Sequence, residues 1–104
     1  MRGNRKKPLT KLAKEEMVKT IERAGFSLWS SDVWFRDFEY HGGSYTGMVH
    51  MNSGNNQYAS VYDNDLGKFI VKRRFERRNW LEIMGEVNRE FKEWVEKFEN
   101  GEIA

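Results

Sequence analysis

Between Trp29 and Phe75 the side chains alternate in character residue by residue, and clusters of turn-forming residues break the alternation three times. That punctuation leaves little freedom in how the chain can fold. "DVWFRDFEY" sets Val33, Phe35 and Asp37 against Trp34, Arg36 and Phe38, the period of a pleated strand. "HGGS" at 41–44 follows, a hairpin signal because glycine takes positive φ without steric cost. "YTGMVHM" reads as a second strand, "NSGNN" at 52–56 as a turn, and "QYASVY" as a third strand. "DNDLG" at 63–67 turns the chain again into a fourth strand, "KFIVKRRF". Connections this short join antiparallel neighbours. The expected sheet is a four-stranded antiparallel meander.

Helical periodicity flanks it on both sides. Ala13, Met17, Ile21 and Ala24 recur at spacings of four, four and three, predicting a helix from an N-cap at Thr10 to Ala24. Gly25 stands where a left-handed C′ residue is wanted. Near the C-terminus Trp80, Met84, Val87, Phe91, Trp94 and Phe98 form a stripe, which Val95 widens. Asn79 and Glu82 have the spacing of a capping box, and Asn100-Gly101 ends the element. Such a helix is roughly 30 Å long and can lie across a whole sheet. The predicted fold class is α+β, in element order α-β-β-β-β-α. It has two layers, with an N-terminal helix and a long C-terminal helix on one sheet face.

The length of 104 residues suits one domain, expected over 9–104, behind a flexible basic arm at 1–8 that has almost nothing to bury. Four Trp, four Tyr and seven Phe supply large core pieces. With no cysteine there is no disulfide framework and no thiolate metal site. "MRGNRKKPLTKLAKEE" lacks the apolar stretch of a secretory signal, and no run approaches the roughly 18 apolar residues of a spanning segment. The expected location is cytoplasmic, away from any membrane.

The net charge of +2 conceals segregation. Residues 1–14 carry six basic side chains and no acid, and residues 15–67 carry three basic and eight acidic. Residues 68–78 carry six basic and one acidic, and residues 79–104 three basic and seven acidic. The two basic blocks read as anion-facing patches on an otherwise acidic molecule.

No motif for catalysis stands out. "DNDLG" places Gly67 and Arg74 where a calcium loop needs an oxygen ligand and a glutamate, so it reads as a turn rather than a metal site. His41 falls in a glycine turn and His50 on a strand, neither in a recognisable arrangement with a nucleophile or metal ligand. No cofactor is expected.

The informative stretch is "KFIVKRRFERRN" at 68–79. If Phe69, Val71 and Phe75 point inward, then Lys68, Ile70, Lys72 and Arg74 point outward, with Arg73 inward near the edge. The same alternation puts Tyr58, Ser60 and Tyr62 on that outer face. Tyr58, Tyr62, Lys72 and Arg74, with Arg77 and Arg78 in the following turn and Arg36 from an earlier strand, are the candidate binding residues. Cations suit phosphate, and ring faces suit unstacked bases. The alternative is a solvated face whose Lys and Arg protect an edge strand from aggregation.

The helix–sheet–helix order resembles that of double-stranded-RNA-binding domains. Those have three strands and a lysine-rich start to the second helix, where this chain reads "NWLEIMGE". Small size and patchy charge also resemble small proteins of bacteriophages and mobile elements, including inhibitors of host defence nucleases. The leading expectation is a small basic, non-enzymatic binding module whose basic, aromatic sheet face docks on nucleic acid or a nucleoprotein. The alternative is an anti-defence inhibitor, anti-CRISPR-like, that blocks a host nuclease or another nucleic-acid-binding protein through a protein–protein interaction.

Overall fold

A computed structural model describes residues 11–51, 57–76 and 79–102. The expected arm at 1–8, the N-cap at Thr10, the turn at 52–56, and Arg77 and Arg78 lie outside the described residues. The elements are α1 (Lys11–Arg23), β1 (Ser27–Ser30), β2 (Val33–Tyr40), β3 (Gly43–Met51), β4 (Gln57–Asp63), β5 (Lys68–Arg74) and α2 (Trp80–Glu99). The strands form one antiparallel sheet in sequence order, and α2 packs across β4 and β5. No helix among the described residues is long and apolar enough to cross a membrane.

The α+β class and the meander match the sequence reading, but the sheet has five strands rather than four. The additional strand, β1, is only four residues long, "SLWS", and every one of them is exposed. It has no buried face and therefore no alternation to read. It pairs with β2 through a turn whose left-handed residue is Asp32 (φ 58°), without the glycine that usually signals a hairpin.

α1 closes as its sequence predicts. Gly25 is left-handed (φ 97°), Phe26 N–H donates to the Ile21 carbonyl at 3.0 Å, and Gly25 N–H donates to that of Glu22 at 3.0 Å. These are the paired bonds of a Schellman closure, which satisfy carbonyls the helix would otherwise leave open. α2 ends in the same way, with Glu102 N–H on the Lys97 carbonyl and Gly101 N–H on that of Phe98. Its start departs from expectation. Asn79 makes no side-chain cap; its Oδ1 accepts from Glu76 N–H at 2.7 Å instead, so no capping box forms.

Val87, Phe91 and Val95 of α2 are buried as expected, together with Ile83. Trp80, Met84 and Trp94 are only half-buried, and Phe98 is exposed. The buried row is thus Ile83-Val87-Phe91-Val95, and the large aromatics of the predicted stripe flank it. Phe91 is the centre of an aromatic cluster, 5.4 Å from Phe38, 5.2 Å from Tyr40 and 4.8 Å from Tyr45 between ring centroids. A charged fork fixes the helix against the sheet edge. Arg73 on β5 donates to Glu86 at 2.7 Å and also to Glu90, one turn further along α2. α1 contributes Met17 and Ile21 to the same core, and its Lys14 ammonium pairs with Asp32 in the β1–β2 turn.

A bulge resets the last strand. Val61 is opposite Val71, but Tyr62 is opposite Phe69, so β5 has one residue more than β4 at this point. The irregularity turns Phe69 onto the face away from the helices, where it is 48% exposed, and brings Lys68 opposite Asp63. This overturns the expectation of Phe69 inward and Lys68 outward. Strict alternation across "KFIV" carries no sign of the extra residue.

Phe91→Ala is expected to cost about 3–5 kcal/mol, as a large-to-small change in a packed core, and Trp94→Ala less than half as much. Chemical denaturation of both variants checks the order. A Trp94 variant less stable than the Phe91 variant would contradict this placement of the helix.

Candidate nucleic-acid interface

Among the described residues, the helices cover one face of the sheet and leave the other uncovered. Trp34, Tyr45, Val49, Ala59, Val61, Val71 and Phe75 point into the helical layer. The alternate residues line the open face in rungs set by the register. One rung runs Val33, His50, Tyr58, Arg74; the next Phe35, Met48, Ser60, Lys72; the third Asp37, Thr46, Tyr62, Phe69.

The rungs bring four of the expected residues together. Tyr58 stacks on its cross-strand neighbour His50, with centroids 4.2 Å apart and planes at 20°. The Lys72 ammonium lies 4.4 Å from the Tyr58 ring centroid and 5.8 Å from that of Phe69, within cation–π range of both. Tyr62 meets Phe69 edge-to-face at 5.0 Å. Arg74 is exposed beside Tyr58 in the register. Ser60 lies buried in the middle rung.

Arg36 does not belong to this group. It is on the helical side of β2, 5.6 Å from the Phe38 ring, and lines a cleft of about 550 Å³ between α1 and α2. The reason is visible in the alternation: Arg36 shares its parity with Trp34 and Phe38, both packed toward the helices. Arg73, also among the cations of this stretch, is committed to Glu86 and Glu90.

Sequence reading missed the aromatic half of the face. Trp29, 63% exposed, meets Phe35 edge-on at 6.1 Å. That pair and the Tyr62–Phe69 pair border a trough of about 470 Å³, which Met48, Thr46, Asp37 and Asn64 also line. Phe35 and Met48 were legible as same-face residues on adjacent strands. Trp29 depends on β1 and Phe69 on the bulge, neither of which alternation reveals.

The two histidines have different surroundings. His41, left-handed at the β2–β3 turn (φ 50°), stacks on Tyr40 and shares its Nδ1 with the Glu99 carboxylate at 2.8 Å. His50 is half-buried; that burial first, and then the nearby Lys72 ammonium, push its pKa below the ordinary 6.5. The Asp63 carboxylate in the β4–β5 turn accepts from the N–H groups of Asp65 and Leu66, both at 2.9 Å, an ordinary Asx turn.

No family model, no curated protein and no solved structure matches this chain.

Because the folded protein favours neutral His50, the unfolded chain binds more protons in the window just below pH 6.5. Stability contributed here is therefore full above that value and falls as pH drops through it. An NMR titration of His50 is expected to give a midpoint below 6.5, and Lys72→Gln should raise it part of the way back. A midpoint at or above 6.5 in the parent protein would contradict the assigned environment.

Proposed function

We propose that the chain is a non-enzymatic binding module that lays a single strand of nucleic acid across the open face of its sheet. The observation that carries the reading is Lys72, its ammonium held 4.4 Å from the Tyr58 ring on a face that neither described helix covers. Phosphates require cations, and Lys72 and Arg74 stand side by side at the β5 edge. Bases require ring faces, and Phe69 and Trp29 offer theirs to solvent at 48% and 63% exposure.

A single strand fits this arrangement better than a duplex. Duplex bases are stacked on each other and leave ring-bearing side chains without a partner, whereas splayed bases stack on aromatic rings. A duplex reader also needs an element that enters or straddles a groove. The long helix is poorly charged for that, since Glu82, Glu86, Glu90, Glu93 and Glu96 line it. Among the described residues His41 is engaged by Glu99, and His50 stacks on the Tyr58 ring. This supports binding rather than catalysis.

Fluorescence anisotropy with labelled single-stranded oligonucleotides tests the reading. Binding should weaken with salt, and Lys72→Gln should flatten the slope of log K against log salt by about 0.7 for one lost phosphate contact. Phe69→Ala is expected to weaken single-strand binding by roughly 1–3 kcal/mol through lost stacking, with little effect on duplex. If neither DNA nor RNA binds with a salt dependence, the proposal fails. A protein partner retained from bacterial lysate after nuclease treatment would then favour the inhibitor reading.

A further inference from the structure

We infer that the trough between the two aromatic pairs is a base pocket that selects guanine, with Asp37 reading the base. This rests on the single-strand reading above and deepens it. Four rings border the trough, Trp29 with Phe35 on one side and Tyr62 with Phe69 on the other, and Met48 lies between them. Those walls suit any base, because every base has a π face. The polar groups at the border are what distinguish one base from another.

The Asp37 carboxylate is held in a directed chain of hydrogen bonds. The Asn64 amide donates to Thr46 Oγ1 at 3.1 Å and to Ser44 Oγ at 3.1 Å. The Thr46 hydroxyl has one proton, and its short contact of 2.6 Å to Asp37 Oδ1 takes it. The threonine therefore accepts from Asn64 and donates to Asp37, which fixes one carboxylate oxygen, while the other accepts no hydrogen bond from the described residues. Among the described residues no cation lies within ion-pairing distance of Asp37. A carboxylate at the border of an aromatic trough, oriented and without a counter-charge, is an acceptor awaiting donors.

Guanine is the base that fits it. Its Watson–Crick edge presents two adjacent donors, N1–H and N2–H, whose spacing matches the two oxygens of a carboxylate, the same fork geometry as in an arginine–carboxylate pair. Adenine and cytosine offer one exocyclic amino group beside an acceptor nitrogen, which faces a carboxylate unfavourably. Thymine and uracil offer one N–H between two carbonyls. A phosphate is repelled by Asp37 and attracted by Lys72 on the neighbouring rung. The strand is thereby set with its backbone toward β5 and this base toward β2.

The test uses labelled oligo(dT) with a single central dG, deoxyinosine, dA or dC, titrated by anisotropy with the intact chain and with Asp37→Asn. Deoxyinosine keeps N1–H and lacks the N2 amino group. The dG oligomer is expected to bind roughly tenfold or more tightly than the deoxyinosine one, the usual scale for a hydrogen bond to a charged group. Asp37→Asn still accepts from Thr46 but no longer matches two donors, so it should erase the dG preference, read as the ratio of dG to plain oligo(dT) affinity. Equal affinity for all four substituted oligomers overturns the base pocket while leaving single-strand binding intact. Failure of every oligomer to bind overturns the single-strand reading and the pocket with it. A dG preference that survives Asp37→Asn overturns the assignment to Asp37. Tetramethylammonium shifting the Trp29 and Phe69 resonances, with no dG preference, would instead mark the trough as a cation cage and also overturn the inference.

Discussion

The packing of α2 on one side of the sheet governs the rest of the structure. Ile83, Val87, Phe91 and Val95 bury a single row of the helix against β4 and β5, and Phe91 gathers Phe38, Tyr40 and Tyr45 around itself. Burial of such side chains is worth roughly 1.5–3 kcal/mol each. The row is narrow, and the Arg73 fork to Glu86 and Glu90 fixes the rotation of the helix about its own axis. These groups are only partly buried, so the fork adds geometry more than stability. With α1 on the same side, the apolar material available for covering a sheet is spent on one face. Neither described helix covers the other face, where Phe35, Tyr58, Tyr62 and Phe69 stand.

Two local irregularities turn that exposed face from a merely solvated surface into one with a shaped chemistry. The bulge between β4 and β5 moves Phe69 outward beside Tyr62, within range of the Lys72 ammonium. The short strand β1 brings Trp29 against Phe35 at the opposite border. Between them the cation stretch at 68–78 is divided by use: Arg73 holds the helix, Lys68 faces the side of Asp63, and Lys72 and Arg74 face outward. A charge run that looks uniform in sequence thus does structural work on one face and offers cations on the other.

Much of this was legible from the chain alone, and the failures have local causes. The β2–β3 hairpin, the α1 closure at Gly25 and the outward placement of Tyr58, Tyr62, Lys72 and Arg74 follow from period-two patterning and from glycines at positive φ (Gly25, 97°; Gly42, 80°). β1 escaped because a strand with no buried side chain has no hydrophobic pattern. Phe69 departs from strict alternation because one bulged residue inverts the facing of the residues beyond it. Asn79 had cap spacing, yet its side chain found a nearer donor in Glu76 N–H. Charge alone groups Arg36 with the other cations, but its parity with Trp34 and Phe38 puts it on the helical side. The Asp37–Thr46–Asn64 chain joins three separate strand and turn positions, and only the register brings them together.

The decisive property of the molecule is which face of its sheet meets a ligand. Amide and side-chain NMR spectra recorded while a short single-stranded oligonucleotide is added would map that face directly. The predicted result is a set of shifts at Phe35, Met48, His50, Tyr58, Tyr62 and Phe69, with Val49, Val61, Val87 and Phe91 on the helical side unmoved. Shifts concentrated on α2, or spectra that the oligonucleotide leaves unchanged, would contradict it.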